Sequence, residues 1–138
     1  MRSKKDQAIE ESILKQHVVQ TFFNNVYIRK PDDAIIAHSA EDFMRQLTDP
    51  CHFWTGSQSF NGYGYWSVYS LKFNCRVSIK AHRFAYAYAY GIDALPSSDS
   101  GLVLNHICHN RLCVNVKHLE VITHAENLSK DKRKPTNV

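Results

Sequence analysis

Metal-ligand residues crowd one short stretch near the end of the chain, LNHICHNRLCVNVKHLEVITHAENLSK at 104–130, and they limit the fold more than any other feature. Four residues separate Cys108 from Cys113, and four more separate Cys113 from His118. Zinc prefers thiolate and imidazole ligands, and in structural sites it binds four of them. The spacing therefore predicts a loop that is closed around a structural zinc ion.

The fourth ligand has to come from elsewhere in the chain. Cys51, directly before a predicted strand, is our choice, and Cys75 is the alternative. A competing interpretation makes the cysteines buried free thiols and His118 a core histidine, but two cysteines and a histidine at this spacing favour zinc. His109 lies in the same loop as an unneeded fifth ligand, and we interpret it as a phosphate contact or a surface residue.

The bulk properties favour one small cytoplasmic domain. A chain of 138 residues with 43% hydrophobic residues can bury one modest core, and such chains often depend on a metal for stability. MRSKKDQAIEES has no apolar leader and no long apolar run follows, so we expect neither secretion nor a membrane span. A reducing compartment favours metal sites over disulfides. The net charge of +4 fits a polyanionic partner only weakly.

The first 50 residues are predicted to be helical. Apolar residues recur at three- and four-residue spacing through 1–30, which predicts a helix that stops before Pro31. A second helix is predicted within 31–50, with Ser39 as its N-cap. The first helix has three possible uses, namely packing on the core, dimerisation or DNA contact, and packing is the default.

The middle of the chain changes to a strand pattern. Aromatic and β-branched residues in 51–80, broken by Asn61-Gly62, predict an antiparallel hairpin or a small meander. Residues 81–91 are predicted to be a helix ended by Gly91, although the alternation of alanine and tyrosine is also typical of a strand.

A histidine at the end of a short predicted strand is the candidate base. The apolar run at 102–104 predicts a strand, and alternation along it sends Leu104 and His106 to one face and Asn105 to the other. An imidazole titrates near neutral pH, which suits His106 to take a proton from water.

A helix start follows the predicted zinc loop. Thr123 and Glu126 have the spacing of a capping box, which predicts a helix from about residue 124. Asn127 then lies in the first turns, and it can face His106 if the helix packs across the strand. Its amide oxygen is a hard neutral ligand that suits magnesium. Taken alone, Asn127 would be interpreted as a solvated helix residue.

Together these residues resemble the HNH group of ββα-metal (His-Me finger) endonucleases, both the zinc-containing HNH proteins common in phages and the His-Cys box homing endonucleases. The resemblance runs through CHFWTG, NGYGYWSV, AHRFAYAYAYG and LNHICHNRLCVNVKHLEVITHAENL. It implies an α+β fold with a small antiparallel sheet, a ββα-metal core, one structural zinc loop and N-terminal helices. We divide the chain accordingly into an N-terminal helical extension (1–50), a zinc-stabilised nuclease core (51–130) and a basic C-terminal tail (131–138).

The resemblance also implies a role for each candidate residue. His106 is the general base, and Asn127 is the ligand of a catalytic magnesium ion, for which manganese can substitute. Asn105 stands where many relatives carry an aspartate that is a second metal ligand. Asn115 matches the middle asparagine of the motif and ties the loop by backbone hydrogen bonds. The structural zinc site comprises Cys51, Cys108, Cys113 and His118.

Basic residues are expected to contact DNA phosphates, and Arg83 or Arg76 would also neutralise charge that develops on the phosphate. Each of them is interpreted equally well as a solvated surface charge. The set comprises Lys72, Arg76, Lys80, Arg83, Arg111 and Lys130.

The resemblance implies a metal-dependent endonuclease or nickase that hydrolyses phosphodiester bonds in double-stranded DNA. We expect a site-specific enzyme of the homing or restriction type, in the cytoplasm of a bacterium or a phage-infected host. Cutting both strands would require a homodimer. One alternative is a non-catalytic zinc-containing module that binds nucleic acid, which neutral Asn105 keeps open. Another is a zinc-stapled protein-interaction domain.

Overall fold

A computed structural model describes residues 2–35, 37, 39–97 and 99–127, so Lys130 and the tail at 131–138 lie outside the described residues. The helices are α1 (Lys4–Ser12), α2 (Gln16–Phe23), α3 (Ala40–Thr48), α4 (Ala81–Tyr90) and α5, of which 124–127 are described. The strands are β1 (Val26–Ile28), β2 (His52–Trp54), β3 (Tyr65–Ser70), β4 (Cys75–Lys80), β5 (Leu102–His106) and β6 (Leu119–Thr123). Short 3-10 turns lie at Ile92–Ala94 and Val116–His118.

The strands form antiparallel pairs, β1 with β2, β3 with β4, and β5 with β6. This arrangement confirms the predicted α+β class with small antiparallel sheets. The predicted hairpin is present as β3 and β4, but its turn lies at 71–74. Asn61-Gly62 forms a separate turn before β3, in which Gly62 has a φ of +89°. Gly62 therefore lies in the turn of a short loop whose two sides pair through an antiparallel bridge between Gln58 and Gly64, and not in the turn of the β3–β4 hairpin.

The prediction of one helix up to Pro31 was wrong. The chain breaks after Ser12, where the Lys15 N–H donates to the Ser12 carbonyl at 3.0 Å, and α2 then ends at Phe23. Val26–Ile28, a run of β-branched and aromatic residues, pairs with β2 as an edge strand. The pairing of β1 with β2, which are distant in sequence, therefore outweighs the local helical pattern at the end of residues 1–30.

Phe22 on α2 lies at the centre of the core. Its ring is fully buried and lies 4.9 Å from Trp54, 5.3 Å from Trp66 and 4.5 Å from Phe84, measured between ring centroids. Helix α1 packs against β3, β4 and α4. The boundary at residue 50 stays a prediction, and extensive packing crosses it.

Two helix predictions from the sequence are confirmed. Ser39 caps α3, because its Oγ accepts a hydrogen bond from the Asp42 N–H at 3.0 Å. Helix α4 ends at Gly91, whose φ is +95° and whose N–H donates to the Ala87 carbonyl at 2.8 Å. Within the described ranges, none of the helices has the length and apolar character needed to cross a membrane.

Candidate metal centre and active site

Three cysteines and one histidine meet at a single point in the interior. Cys51 lies just before β2, Cys108 and Cys113 lie in the loop after β5, and His118 ends a 3-10 turn. All four are buried, and their ligand atoms lie within 4.8 Å of one another. Cys75, the alternative fourth ligand, lies on β4 and is not part of this group.

The geometry of this cluster fits a tetrahedral zinc ion. With Zn–S bonds of about 2.3 Å, ligand atoms at the corners of a tetrahedron are about 3.8 Å apart. His118 Nδ1 lies 3.5 Å from the sulfur atoms of both Cys51 and Cys113. Because all four ligands come from buried side chains, the site can be closed and structural.

The thiols need a cation to ionise together. Hydrogen bonds from Cys113 and Cys51 lower the pKa of Cys108. Hydrogen bonds to Cys108 and Cys113 raise the pKa of Cys51. The sulfur atoms therefore share protons, and a divalent ion would replace those protons.

Residues around the cluster hold its ligands in place. His118 Nε2 donates to the Asp49 carbonyl at 2.8 Å, which leaves Nδ1 facing the sulfur atoms. Asn115 donates to Asp49 Oδ1 at 2.9 Å and to the Pro50 carbonyl at 2.8 Å. The Asn115 side-chain oxygen accepts from the Lys117 N–H at 3.0 Å. Asn115 thus joins the segment before Cys51 to the segment before His118.

His106 is the last residue of β5 and is 5% exposed. Its Nε2 lies 3.0 Å from the Cys113 carbonyl. A carbonyl only accepts hydrogen bonds, so Nε2 carries the proton and Nδ1 is the acceptor nitrogen. Burial lowers the pKa of His106, while Cys108 and the bond to Cys113 oppose that shift. The ring is fixed by the same loop that carries the metal ligands.

A cleft of about 580 Å³ is lined by neighbours of His106, although His106 itself is not one of its lining residues. Asn105 and Asn127 both line it, so the structure brings these two predicted ligands to one space. His106 adjoins the wall through His82, whose ring centroid is 4.7 Å away and which lines the cleft. Asn105 Nδ2 donates to Glu120 Oε2 at 2.9 Å across the β5–β6 pair.

The start of α5 has the predicted capping box. Thr123 Oγ1 accepts from the Glu126 N–H at 3.1 Å, and Glu126 Oε1 accepts from the Thr123 N–H at 3.1 Å. Each residue therefore satisfies a free N–H of the other at the helix end. This reciprocal pair fixes the direction of the first turn of α5, which carries Asn127, relative to β6.

Some of the basic residues predicted to bind DNA surround the cleft. Lys80 and Arg83 line it, and Arg83 donates to both oxygens of Asp6, at 2.9 and 3.1 Å. Lys80 Nζ lies 4.7 Å from the ring centroid of Tyr63, and the guanidinium of Arg111 lies 5.0 Å from the same centroid. Tyr63 also lines the cleft.

The other predicted DNA-binding residues lie elsewhere or outside the described part of the chain. Arg76 bonds to Ser67 across the β3–β4 hairpin, and Lys72 lies in the turn of that hairpin beside Gln7. Neither of them lines the cleft. Lys130 is outside the described residues.

Sequence reasoning missed three residues of this cleft, namely Lys5, Tyr63 and His82. Lys5 falls in the predicted helix at 1–30, Tyr63 in the predicted strand region at 51–80 and His82 in the predicted helix at 81–91. One signal could have found His82. A histidine at the start of an alanine- and tyrosine-rich helix, between Lys80 and Arg83, adds little to helix packing.

The part of the chain that carries most of these residues is similar to a known family. A family model described as "HNH endonuclease" matches 80–129. The predicted resemblance to HNH endonucleases is confirmed over this segment. It contains His106, Asn127 and three of the four metal ligands, while Cys51 lies outside it.

One curated relative also matches. The chain is 35% identical over 79 residues to "Protein 7.7" of Escherichia phage T7, covering 57% of this chain and 52% of that protein. The chain thus spans about half the length of this relative. No solved structure matches the chain. The HNH match supports a nuclease-type function, and HNH endonucleases act on DNA.

Proposed function

We propose that this protein is a metal-dependent endonuclease or nickase that hydrolyses phosphodiester bonds in double-stranded DNA. The observation that carries the proposal is the placement of His106. The bond from its Nε2 to the Cys113 carbonyl leaves Nδ1 as the acceptor, and the ring contacts His82, which lines a cleft together with Asn105 and Asn127. The match of 80–129 to the HNH endonucleases supports the same reading.

His106 acts as the general base. Its Nδ1 takes a proton from a water molecule as the water oxygen forms a bond to phosphorus. The bond from phosphorus to the 3′ oxygen breaks, and the leaving oxygen takes a proton from solvent. The products carry a 5′ phosphate and a 3′ hydroxyl. The bond to Cys113 holds the ring so that only this nitrogen is free to act.

Asn127 and Asn105 would hold the catalytic magnesium ion, for which manganese can substitute. Glu120 is an acceptor, so its 2.9 Å contact turns the Asn105 amide nitrogen toward it and leaves Oδ1 as the free ligand atom. Two amide oxygens fit a magnesium ion that keeps several waters and takes other ligands from phosphate. When bound, the ion would supply Lewis-acid stabilisation of the leaving oxygen.

The proposed zinc site would also hold the general base in position. Cys113 contributes its sulfur to the cluster, and its carbonyl holds His106. Strand β2 is joined to the same loop by bonds from Trp54 N–H to the Leu112 carbonyl at 2.8 Å and from Val114 N–H to the His52 carbonyl at 2.7 Å. A zinc ion would therefore fix the loop and, through the bond to the Cys113 carbonyl, the His106 ring.

DNA is held by the basic residues that surround the cleft. Lys5, Lys80 and Arg83 line it, with Arg111 beside Tyr63. These charges would meet phosphates on either side of the scissile bond. We propose a site-specific enzyme of the homing or restriction type that acts in the cytoplasm of a bacterium or a phage-infected host. A homodimer would be needed to cut both strands.

Plasmid cleavage tests the proposal. Supercoiled plasmid is incubated with the wild type and His106→Ala, with magnesium, with manganese or with neither metal added, because EDTA would also remove the structural zinc. We expect cleavage by the wild type with either metal and a loss of at least about a hundredfold in His106→Ala, because general-base catalysis contributes about 10²–10⁴. His17→Ala, an exposed histidine on α2, is the matched control and should cleave normally.

Two results would contradict the proposal. Cleavage by His106→Ala at the wild-type rate would remove the assignment of the base. A wild type that binds duplex DNA in a salt-dependent way but cuts none would instead indicate the non-catalytic zinc-containing module. Sequencing the ends produced from genomic DNA then tests specificity, because a homing or restriction enzyme gives one recurrent site and scattered ends would exclude it.

A further inference from the structure

His82, the second residue of α4, is a buried histidine that the proposed chemistry does not use. It is 4% exposed and forms a three-ring cluster with Tyr63 and His106. Its ring centroid lies 5.5 Å from that of Tyr63 and 4.7 Å from that of His106. The residue also lines the cleft shared by Asn105 and Asn127. A second imidazole thus lies directly beside the candidate base.

One nitrogen of this ring has no partner. Nδ1 of His82 is buried and makes no hydrogen bond within the described part of the chain. Buried polar atoms are almost always bonded, and an unpaired one destabilises the fold. A phenylalanine here could stack on Tyr63 and His106 without that penalty. Packing alone therefore does not account for a histidine at this position.

The surroundings of His82 favour an anionic partner. Lys5 and Lys80 line the same cleft, and so does Arg83, which is paired with Asp6. Burial lowers the pKa of His82 well below its usual range, and His106, Lys80 and Arg83 lower it further. The ring is therefore neutral, and a neutral imidazole donates one N–H without placing a positive charge beside the base.

We propose that His82 contacts the scissile phosphate, donating a hydrogen bond from Nδ1 to a non-bridging oxygen. The inference rests on the proposed function, because a phosphate reaches this ring only if DNA lies in the cleft. The contact would hold phosphorus next to the ring cluster that includes His106. A turn of the ring toward the cleft would bring this covered nitrogen, which has no partner among the described residues, to the phosphate.

The first experiment replaces the ring by an apolar one of similar shape. His82→Phe should melt at the wild-type temperature or a few degrees above it, because an unpaired buried nitrogen is removed. Its plasmid cleavage with magnesium should fall about tenfold or more, the effect of losing one hydrogen bond to a charged group. His17→Phe, the same change at an exposed site on α2, should alter neither.

A second pair of variants isolates Nδ1. His82→Asn places an amide close to the position of Nδ1, whereas His82→Gln places it near Nε2. We expect Asn to retain more cleavage than Gln at equal zinc content. This comparison also decides the matter if His82→Phe does not fold. Equal activity of the Asn and Gln variants would overturn the assignment of Nδ1.

A binding measurement separates this inference from the proposed function. Fluorescence anisotropy with a duplex oligonucleotide, in a buffer without added magnesium or manganese, reports affinity without cleavage and leaves the zinc site intact. We expect His82→Phe to bind more weakly than the wild type and His17→Phe to bind equally well. If the wild type cuts no DNA, the proposed function fails, and the binding arm still tests the phosphate contact. Wild-type binding and cleavage by His82→Phe would mean that water satisfies Nδ1, and the inference would be wrong.

Discussion

Phe22→Ala tests whether the N-terminal helices belong to the same folding unit as the metal centre. The Phe22 ring is completely buried and contacts Trp54, Trp66 and Phe84 at centroid distances of 4.5–5.3 Å. Burying a phenylalanine contributes about 1.5–3 kcal/mol, and the cavity left by its removal adds to the loss. We expect the free energy of unfolding to fall by about 4 kcal/mol.

A loss of that size is a large part of the 5–15 kcal/mol that stabilises an ordinary domain, and it should lower Tm by about 10–20 °C. The assay is thermal unfolding at a fixed zinc concentration, since a bound metal shifts Tm by itself. Leu14→Ala is the control, because Leu14 is 82% exposed and its removal should change Tm little. Equal, small shifts for both variants would refute the view that α2 is built into the core.

Three further predictions follow from the same structure. Cys113→Ser should lower Tm sharply and reduce bound zinc, because a structural zinc contributes folding free energy. The control variant Cys75→Ser should keep its zinc. Unchanged melting of Cys113→Ser would count against the zinc site. Glu11, which accepts from Leu71 N–H at 2.7 Å, has its pKa lowered from 4.5 to about 2, so its stabilisation is complete above pH 4.5 and is lost as the pH falls toward 2. Glu11→Gln should therefore lower the free energy of unfolding by about 1–2 kcal/mol at pH 7.5, a value discounted for partial exposure. In urea unfolding, the difference between the variant and the wild type should shrink at pH 3. A difference that does not change with pH would contradict the role of the Glu11 carboxylate. Gly64→Ala should destabilise by about 1–3 kcal/mol in the same assay, because a Cβ there would lie 2.5 Å from Trp54 Cδ1, and a neutral result would show that the indole moves aside.

Most of the candidate metal centre could be predicted from the sequence because its signals are local. Four-residue gaps place Cys108, Cys113 and His118 in one loop, and Thr123 with Glu126 sets the start of α5 at short range. Such patterns depend on neighbouring residues and not on the rest of the fold. Cys51 was a choice between two cysteines, and only the pairing of β2 with the loop brings it to the cluster.

The cleft could not be predicted in the same way. Whether a lysine faces DNA depends on how elements pack, so Lys5 on α1 lies in the cleft while Arg76 on β4 does not. The periodicity of residues 1–30 fits a helix, yet Val26–Ile28 forms a strand because β2, distant in sequence, supplies its partner. His82 was hidden for a related reason, since a buried histidine and a core helix residue look alike in one sequence.

Replacing Cys113 by another zinc-binding residue should have a different effect from the same replacement at Cys51 or His118. At Cys51 or His118, a different zinc-binding side chain could in principle keep the metal without moving the base. At position 113 the sulfur and the carbonyl that holds His106 belong to one residue. A longer ligand there would push the main chain away from the metal and carry the imidazole with it. Metal content and activity should therefore separate in a Cys113→His variant, which can retain zinc while losing the alignment of its base.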